Sequence, residues 1–145
     1  MEIKIKKIRQ DAMLPKRGSE FSAGADLYAC PDETVMIPPG ETAFIPIGIS
    51  AEIPEGYAGF IFARSGLASK EGLAPANKVG VVDSDYRGEF YIALHNHSAS
   101  VKQVRKGDRI AQMIIMPVVM ADYIECDELS DTERGAGGFG STGKR

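Results

Sequence analysis

The chain has two cysteines, two histidines and no apolar run of membrane-spanning length, and each scarcity closes a class of answers. Cys30 and Cys126 stand far apart with no C-x-x-C, so neither a disulfide framework nor a zinc site follows, and each is expected to be a small apolar packing residue. His95 and His97 lie two apart on one strand face, but no third ligand accompanies them, so satisfied or exposed histidines are expected rather than a metal site. The opening MEIKIKK alternates charge with isoleucine where a secretory signal needs an unbroken apolar stretch, so a soluble, cytoplasmic protein is expected. A basic excess is missing too: the formal net charge of −3 argues against broad binding to nucleic acid or a membrane surface. It leaves room for a local basic pocket.

What is present is enough for one core. The 145 residues, 43% of them apolar and 26% charged, suit one globular domain with no room for a second. IKIKKI, TVMI, TAFIPIGI, YAGFIFA, EFYIALHN and RIAQMIIM are short, rich in β-branched and aromatic residues, and separated by Pro38-Pro39-Gly40, Pro54-Glu55-Gly56, Arg87-Gly88 and Lys106-Gly107-Asp108. Such spacing predicts a sandwich or barrel. Period-two patterning places Phe90, Ile92 and Leu94 on one buried face, and Ile45, Ile47 and Ile49 on another within a single earlier strand. One short helix is expected from Ser65 in SGLASKEGLA, capped by Ser65 and stopped by Gly72. After Glu125 little remains to bury, and residues 127–145 read as a disordered tail in which Phe139 is stranded among glycines.

Five segments carry chemistry. The tail's GFGSTGK echoes a P-loop, yet neither the strand before it nor the helix after it that a P-loop needs is available. What survives is a set of glycine N–H groups, the hydroxyls of Ser141 and Thr142, and Arg134 as a bidentate cation, against the plain alternative of an inert terminus. GVVDSDYRGEF reads as a hairpin with Asp83 and Asp85 at its bend. Either it is an Asx-rich turn with solvated carboxylates, or one aspartate is a general base held against water. ARSG sets Arg64 and Ser65 at a strand–helix junction where free N–H groups favour anions, and an N-cap explains Ser65 equally well. AGADLYA puts Asp26 at the start of a strand, and RIAQ puts Gln112 among Ile110, Ile114 and Met116, where its amide must find a partner.

In their order, AGADLYA, ARSG, GVVDSDYRG, RIAQ and RGAGGFGSTG resemble the five motifs of the trimeric dUTP pyrophosphatases, or dUTPases, across residues 23–143. No motif position departs in a way that threatens activity; Ala63 stands where many relatives have proline. The resemblance implies an all-β, jelly-roll-like sandwich or barrel with one short helix, assembled as a homotrimer with active sites at subunit interfaces. It also implies Mg2+-dependent hydrolysis of dUTP to dUMP and pyrophosphate by water attack at the α-phosphorus, which keeps uracil out of DNA and supplies dUMP for dTMP synthesis. Residues 1–126 would form the β domain, and residues 127–145 a flexible arm completing a neighbour's site.

By the same resemblance Asp83 orients and deprotonates the water, while Asn77 and the main chain around Val81, Val82 and Tyr91 meet uracil and sugar. Tyr86 packs under the deoxyribose and excludes a 2′-hydroxyl. Arg64, Ser65, Gly66 and Gln112 contact the phosphates from a neighbouring subunit. Phe139 stacks on uracil beside Gly140, and Arg134, Ser141 and Thr142 grip the terminal phosphates. Mg2+ is held by phosphates and water, with Asp26 touching it through water only, so no protein-only metal cage is expected. Two rival readings accompany this one: a non-catalytic regulatory protein that senses dUTP, and a dCTP deaminase of the same superfamily, which needs a different catalytic acid and lacks the Phe-Gly-Ser-Thr-Gly tail.

Overall fold

Short segments that alternate apolar with polar residues become strands because one pleated face then buries its side chains while the other meets water. In the computed structural model, which describes residues 1–138, they form β1 (Lys4–Lys7), β2 (Lys16–Arg17), β3 (Ala25–Tyr28), β4 (Val35–Ile37), β5 (Thr42–Pro46) and β6 (Ile49–Glu52). The second half adds β7 (Tyr57–Phe62), β8 (Leu73–Pro75), β9 (Gly80–Val82), β10 (Tyr91–Asn96), β11 (Lys102–Val104) and β12 (Arg109–Pro117). A five-stranded sheet ordered β2-β3-β12-β7-β9 and a three-stranded sheet ordered β5-β10-β8 supply Leu27, Ile61, Ile45 and Leu94 to one core. The pairs β1-β6 and β4-β11 complete the set, and every pairing among the described residues is antiparallel. The fold is all-β and jelly-roll-like, as expected.

Phe90, Ile92, Leu94, Ile45, Ile47 and Ile49 are all buried, but the single strand expected for TAFIPIGI is two. Gly48 sits at φ +76°, a left-handed conformation that glycine adopts without a Cβ penalty, and its carbonyl accepts from the N–H groups of Ile8 and Arg9. The chain therefore leaves β10 on one side of Gly48 and joins β1 on the other. The expected helix is one wide π-type turn, Leu67–Glu71, stopped by Gly72 in the left-handed region. Ser65 does not cap it: no side chain does, and the Ser65 carbonyl instead accepts the Ser69 hydroxyl at 2.5 Å.

Two further corrections bear on the site. Val82 pairs with Gly59 of β7, while Tyr91 pairs with Pro46 of β5, so GVVDSDYRGEF is no hairpin: residues 83–90 cross from one sheet to the other. In β12 the register shifts between Arg109 and Ala111, an irregularity that buries both Ile110 and Ala111. Beyond it Met113 faces the core, and Gln112 and Ile114 turn to the opposite, half-exposed side, so Gln112 is not on one apolar face with Ile110.

Of the scarce residues, Cys30 is buried as expected and Cys126 is exposed rather than packed. Burial, then the Asp11 carboxylate, push the Cys30 thiol up from its ordinary value, which makes it a poor nucleophile. His95 and His97 meet edge-on with centroids 4.3 Å apart, and Thr42 shares a 2.8 Å hydrogen bond with His95 Nδ1. Among the described residues no helix is long and apolar enough to cross a membrane. The last strand ends at Pro117, earlier than the sequence pattern implies, and Val119, Met120, Tyr123 and Ile124 beyond it are exposed.

Candidate active site

The crossing loop builds the first half of the site. After β9 the chain turns at Asp83, whose carbonyl accepts the Tyr86 N–H at 3.2 Å, and Arg87 staples the turn by donating to the carbonyls of Ser84 (2.6 Å) and Tyr86 (3.1 Å). Gly88 is required by close approach rather than by φ, because a Cβ there would overlap the Tyr86 hydroxyl. The ring lies over the glycine, stacks on Phe90 at 6.2 Å, and donates its hydroxyl to the Glu89 carbonyl at 2.9 Å. Asn77, Val81, Val82, Asp83, Tyr86 and Tyr91 thereby line one cavity of about 250 Å³, joined by Glu89 and Phe90. Among the described residues the Asp83 carboxylate is exposed and enters no hydrogen bond or ion pair, so its lone pairs are free for water.

Two backbone features open this cavity. Phe90 accepts from the Ile47 N–H at 2.9 Å, so in the alternating antiparallel pattern Tyr91 presents its main-chain groups away from β5, where proline at position 46 could donate nothing. On that free side β8 has already ended at Pro75, and Lys78 turns the chain away at φ 65°, the single non-glycine residue at positive φ among the described residues. Among the described residues the last main-chain bond on that side is from the Ala76 N–H to the Ala93 carbonyl, so the strand edge at Tyr91 is left facing the cavity.

The second half lies on β3, β7 and β12. Gln112 sits opposite Asp26 on one side and Phe62 on the other, which brings the ends of three strands together. Asp26 is held between two guanidiniums: Arg64 Nε donates to Oδ1 at 2.8 Å and Arg109 Nη1 to Oδ2 at 3.2 Å. Gln112 Nε2 donates to the Ala63 carbonyl at 2.9 Å, so the amide does find its partner, with one N–H left over. Gly24 permits this, since a Cβ there would stand 2.5 Å from Gln112 Oε1. Asp26, Arg64, Ser65, Gly66 and Gln112 line a cleft of about 520 Å³ together with Arg109. Two guanidiniums against one carboxylate leave it net positive, as an anion requires.

No residue lines both the cavity and the cleft, so the predicted residues fall into two separate groups on one chain. Arg134 is exposed and donates Nε to the Gly137 carbonyl at 2.8 Å, apart from both. Phe139, Gly140, Ser141 and Thr142 lie outside the described residues. No cluster of three His, Cys, Asp or Glu side chains suited to a metal occurs among the described residues. Asp26, with each oxygen already taking a guanidinium, retains lone pairs for water more readily than for a directly bound hard cation, and that donor set fits an ion brought in with its own oxygen ligands. Sequence reasoning passed over Arg109, although it opens the RIAQ segment, and it passed over Glu89, whose partner Arg9 is 80 residues away.

The geometry defines an all-β, jelly-roll-like protein whose polar groups are shared between a small cavity and a cationic cleft. The particular family follows from comparison. The dUTPase family model matches residues 10–143, and the chain belongs to the dUTPase family. It is 51% identical over 144 residues to the deoxyuridine 5′-triphosphate nucleotidohydrolase of Nautilia profundicola, covering 99% of this chain and 100% of that one. With the enzyme of the same name from Hydrogenobaculum sp. it shares 46% over 145 residues, covering 100% of both. The structure of Staphylococcus bacteriophage 80alpha dUTPase with dUPNHPP superposes with a TM-score of 0.89 at 29% identity, covering 98% of each chain.

Proposed function

We propose that the chain is a dUTP diphosphatase in which the small cavity takes deoxyuridine and the cationic cleft takes the triphosphate. The carrying observation is the cavity at the sheet crossing, where an unengaged Asp83 stands beside an open strand edge and an oriented tyrosine. Main-chain groups of Val81, Val82 and Tyr91, with Asn77, read the uracil edge; a mismatched base leaves a buried donor or acceptor unpaired at a cost of about 1–3 kcal/mol. Tyr86 packs under the deoxyribose. Asp83 holds a water and takes its proton while the water oxygen bonds to the α-phosphorus, and the bond to the bridging oxygen breaks to release pyrophosphate and dUMP.

Arg64, Ser65, Gly66 and Gln112 meet the phosphates where charge accumulates. In this reading these groups serve the cavity of another copy in a homotrimer with interfacial sites; that the cleft and cavity of one chain share no lining residue is compatible with such an arrangement. The exposed apolar residues Val119, Met120, Tyr123 and Ile124 support an oligomer, because so much uncovered apolar surface is unusual on a monomer. Residues 1–126 form the β domain; residues 127–145 form the arm that reaches a neighbour's site with Arg134, Phe139, Gly140, Ser141 and Thr142. Mg2+, held by the phosphates and water with Asp26 behind a water, would neutralise phosphate charge. The cytoplasm, where nucleotide pools lie, is the compartment that suits this activity.

Pyrophosphate release from dUTP, dCTP, dTTP and UTP, measured side by side, tests the reading. dUTP alone is expected to turn over, and Asp83→Asn to lower kcat by at least about 100-fold with nucleotide affinity retained. Ammonia from dCTP, dUTP binding without turnover, or an unimpaired Asp83→Asn protein would each refute it.

A further inference from the structure

Glu89 accepts the hydroxyls of both tyrosines of the cavity. Its carbonyl accepts the Tyr86 hydroxyl at 2.9 Å, and its Oε2 accepts the Tyr91 hydroxyl at 2.9 Å. Its other oxygen, Oε1, accepts Arg9 Nε at 2.7 Å, and the Arg9 Nη1 reaches both oxygens of Asp32 at 3.0 and 3.1 Å. This pair is largely shielded, with 14% of the Glu89 side chain and 26% of the Arg9 side chain exposed. The hydrogen bond that Arg9 donates to Glu89, ahead of that to Asp32, raises its guanidinium above its ordinary value, so Arg9 stays charged throughout the working range. Arg9 is itself fixed: its N–H donates to the Gly48 carbonyl at 3.1 Å, at the point where β5 gives way to β6.

We propose that Glu89, anchored by Arg9, is a positioning residue that sets the two tyrosine walls of the nucleoside cavity, so that affinity for the deoxynucleoside depends on an ion pair between the cavity lining and Arg9 behind it. Neither residue reaches the reacting atoms in this scheme. Tyr91 carries the open strand edge, and its ring is tethered by Glu89; Tyr86 forms the sugar-side wall, and its hydroxyl rests on the Glu89 main chain. Loss of the tether frees the ring and, with it, the strand end whose donors and acceptors meet the base. Binding weakens while the chemical step, governed by Asp83, does not.

The inference rests on the dUTPase reading, and the test separates the two. KM and kcat for dUTP, and dUMP affinity by calorimetry, are measured for the wild-type protein, Glu89→Gln, Tyr91→Phe and the double variant. Each single substitution is expected to raise KM and the dUMP dissociation constant about fivefold, with kcat within about twofold, since one hydrogen-bonded constraint is lost. The double variant is expected to resemble either single one, because both remove the same tether. Unchanged dUMP affinity in Glu89→Gln, or effects that multiply in the double variant, would overturn the proposal. Should Glu89→Gln fail to fold, Arg9→Lys, which loses the planar fork that reaches Glu89 and Asp32 together, carries the same comparison, with a raised dUMP dissociation constant expected and an unchanged one fatal. A wild-type protein that binds dUMP but releases no pyrophosphate from dUTP would sink the enzymatic reading and leave the tether to be judged on dUMP binding alone.

Discussion

Replacing Gly24 with alanine tests the link between the first and fourth segments of the sequence. The new methyl would stand 2.5 Å from Gln112 Oε1, 3.2 Å from Cδ and 3.3 Å from Cβ. The amide end can swing away, but doing so breaks the 2.9 Å bond from Nε2 to the Ala63 carbonyl. Losing it costs about 1 kcal/mol if water replaces the amide and about 3 kcal/mol if the carbonyl is left bare. For a chain of this length about 1 kcal/mol corresponds to roughly 2–4 °C in Tm. Against this, alanine for glycine at a compatible backbone position restores about 0.4–1 kcal/mol through the unfolded state.

The net expectation is a loss of about 1–2 kcal/mol in the wild-type background. In a Gln112→Ala background no amide is present to collide and only the 3.3 Å approach to Cβ remains, so Gly24→Ala should be close to neutral, offset by at most about 0.4–1 kcal/mol of stabilisation. Thermal or denaturant unfolding of the four proteins gives the coupling directly. Pyrophosphate assays should show the same pattern, with Gly24→Ala lowering kcat in the wild-type background and adding nothing to Gln112→Ala. A Gly24→Ala penalty equal in both backgrounds would refute the claim that this glycine is there to admit Gln112.

Two other expectations are simpler to test. Asp83→Asn and Arg64→Ala chains, each inactive alone, should regain a measurable fraction of activity after mixed refolding, because some sites then combine an intact cavity with an intact cleft; absence of recovery would argue against shared sites. Partial desolvation, then His95, then Lys78, lower His97 from its ordinary value of 6.5. A group depressed on folding contributes stability above its unfolded value and loses it as pH falls through the folded one, so Tm should decline as pH drops below about 6.5. His97→Gln should flatten that decline, and a titration of His97 by NMR at or above its ordinary value would contradict the reasoning.

Local chemistry was legible in the sequence, and long-range pairing was not. Gly40, Gly56 and Gly107 lie at φ 76°, 79° and 86° in the turns read from Pro-Pro-Gly, Pro-Glu-Gly and Lys-Gly-Asp, since a turn is decided by the few residues within it. Arg87-Gly88 looked like another such turn, yet Gly88 is there for the ring of Tyr86. The division of β9 and β10 between sheets rests on partners far away in the chain, Gly59 and Pro46, and no pattern within 80–96 announces it. The shift in β12 likewise turned Gln112 from an apparent core residue into a cleft residue, because a one-residue slip exchanges faces. Arg9 carries no local sign of its role, since what singles it out is Glu89.

Because residues 83–90 are strung between two sheets, the span of the small cavity is tied to the separation of those sheets, and that separation is fixed by the core side chains between them. A hairpin tip could be widened by exchanging its loop. Here a graft of a longer loop would alter the Tyr86 side alone, whereas a change in the bulk of Ile45 or Ile92, buried beneath the strands, would shift the rest of the wall. Engineering this scaffold toward a larger base would therefore begin in the apolar interior, at residues that never meet a nucleotide.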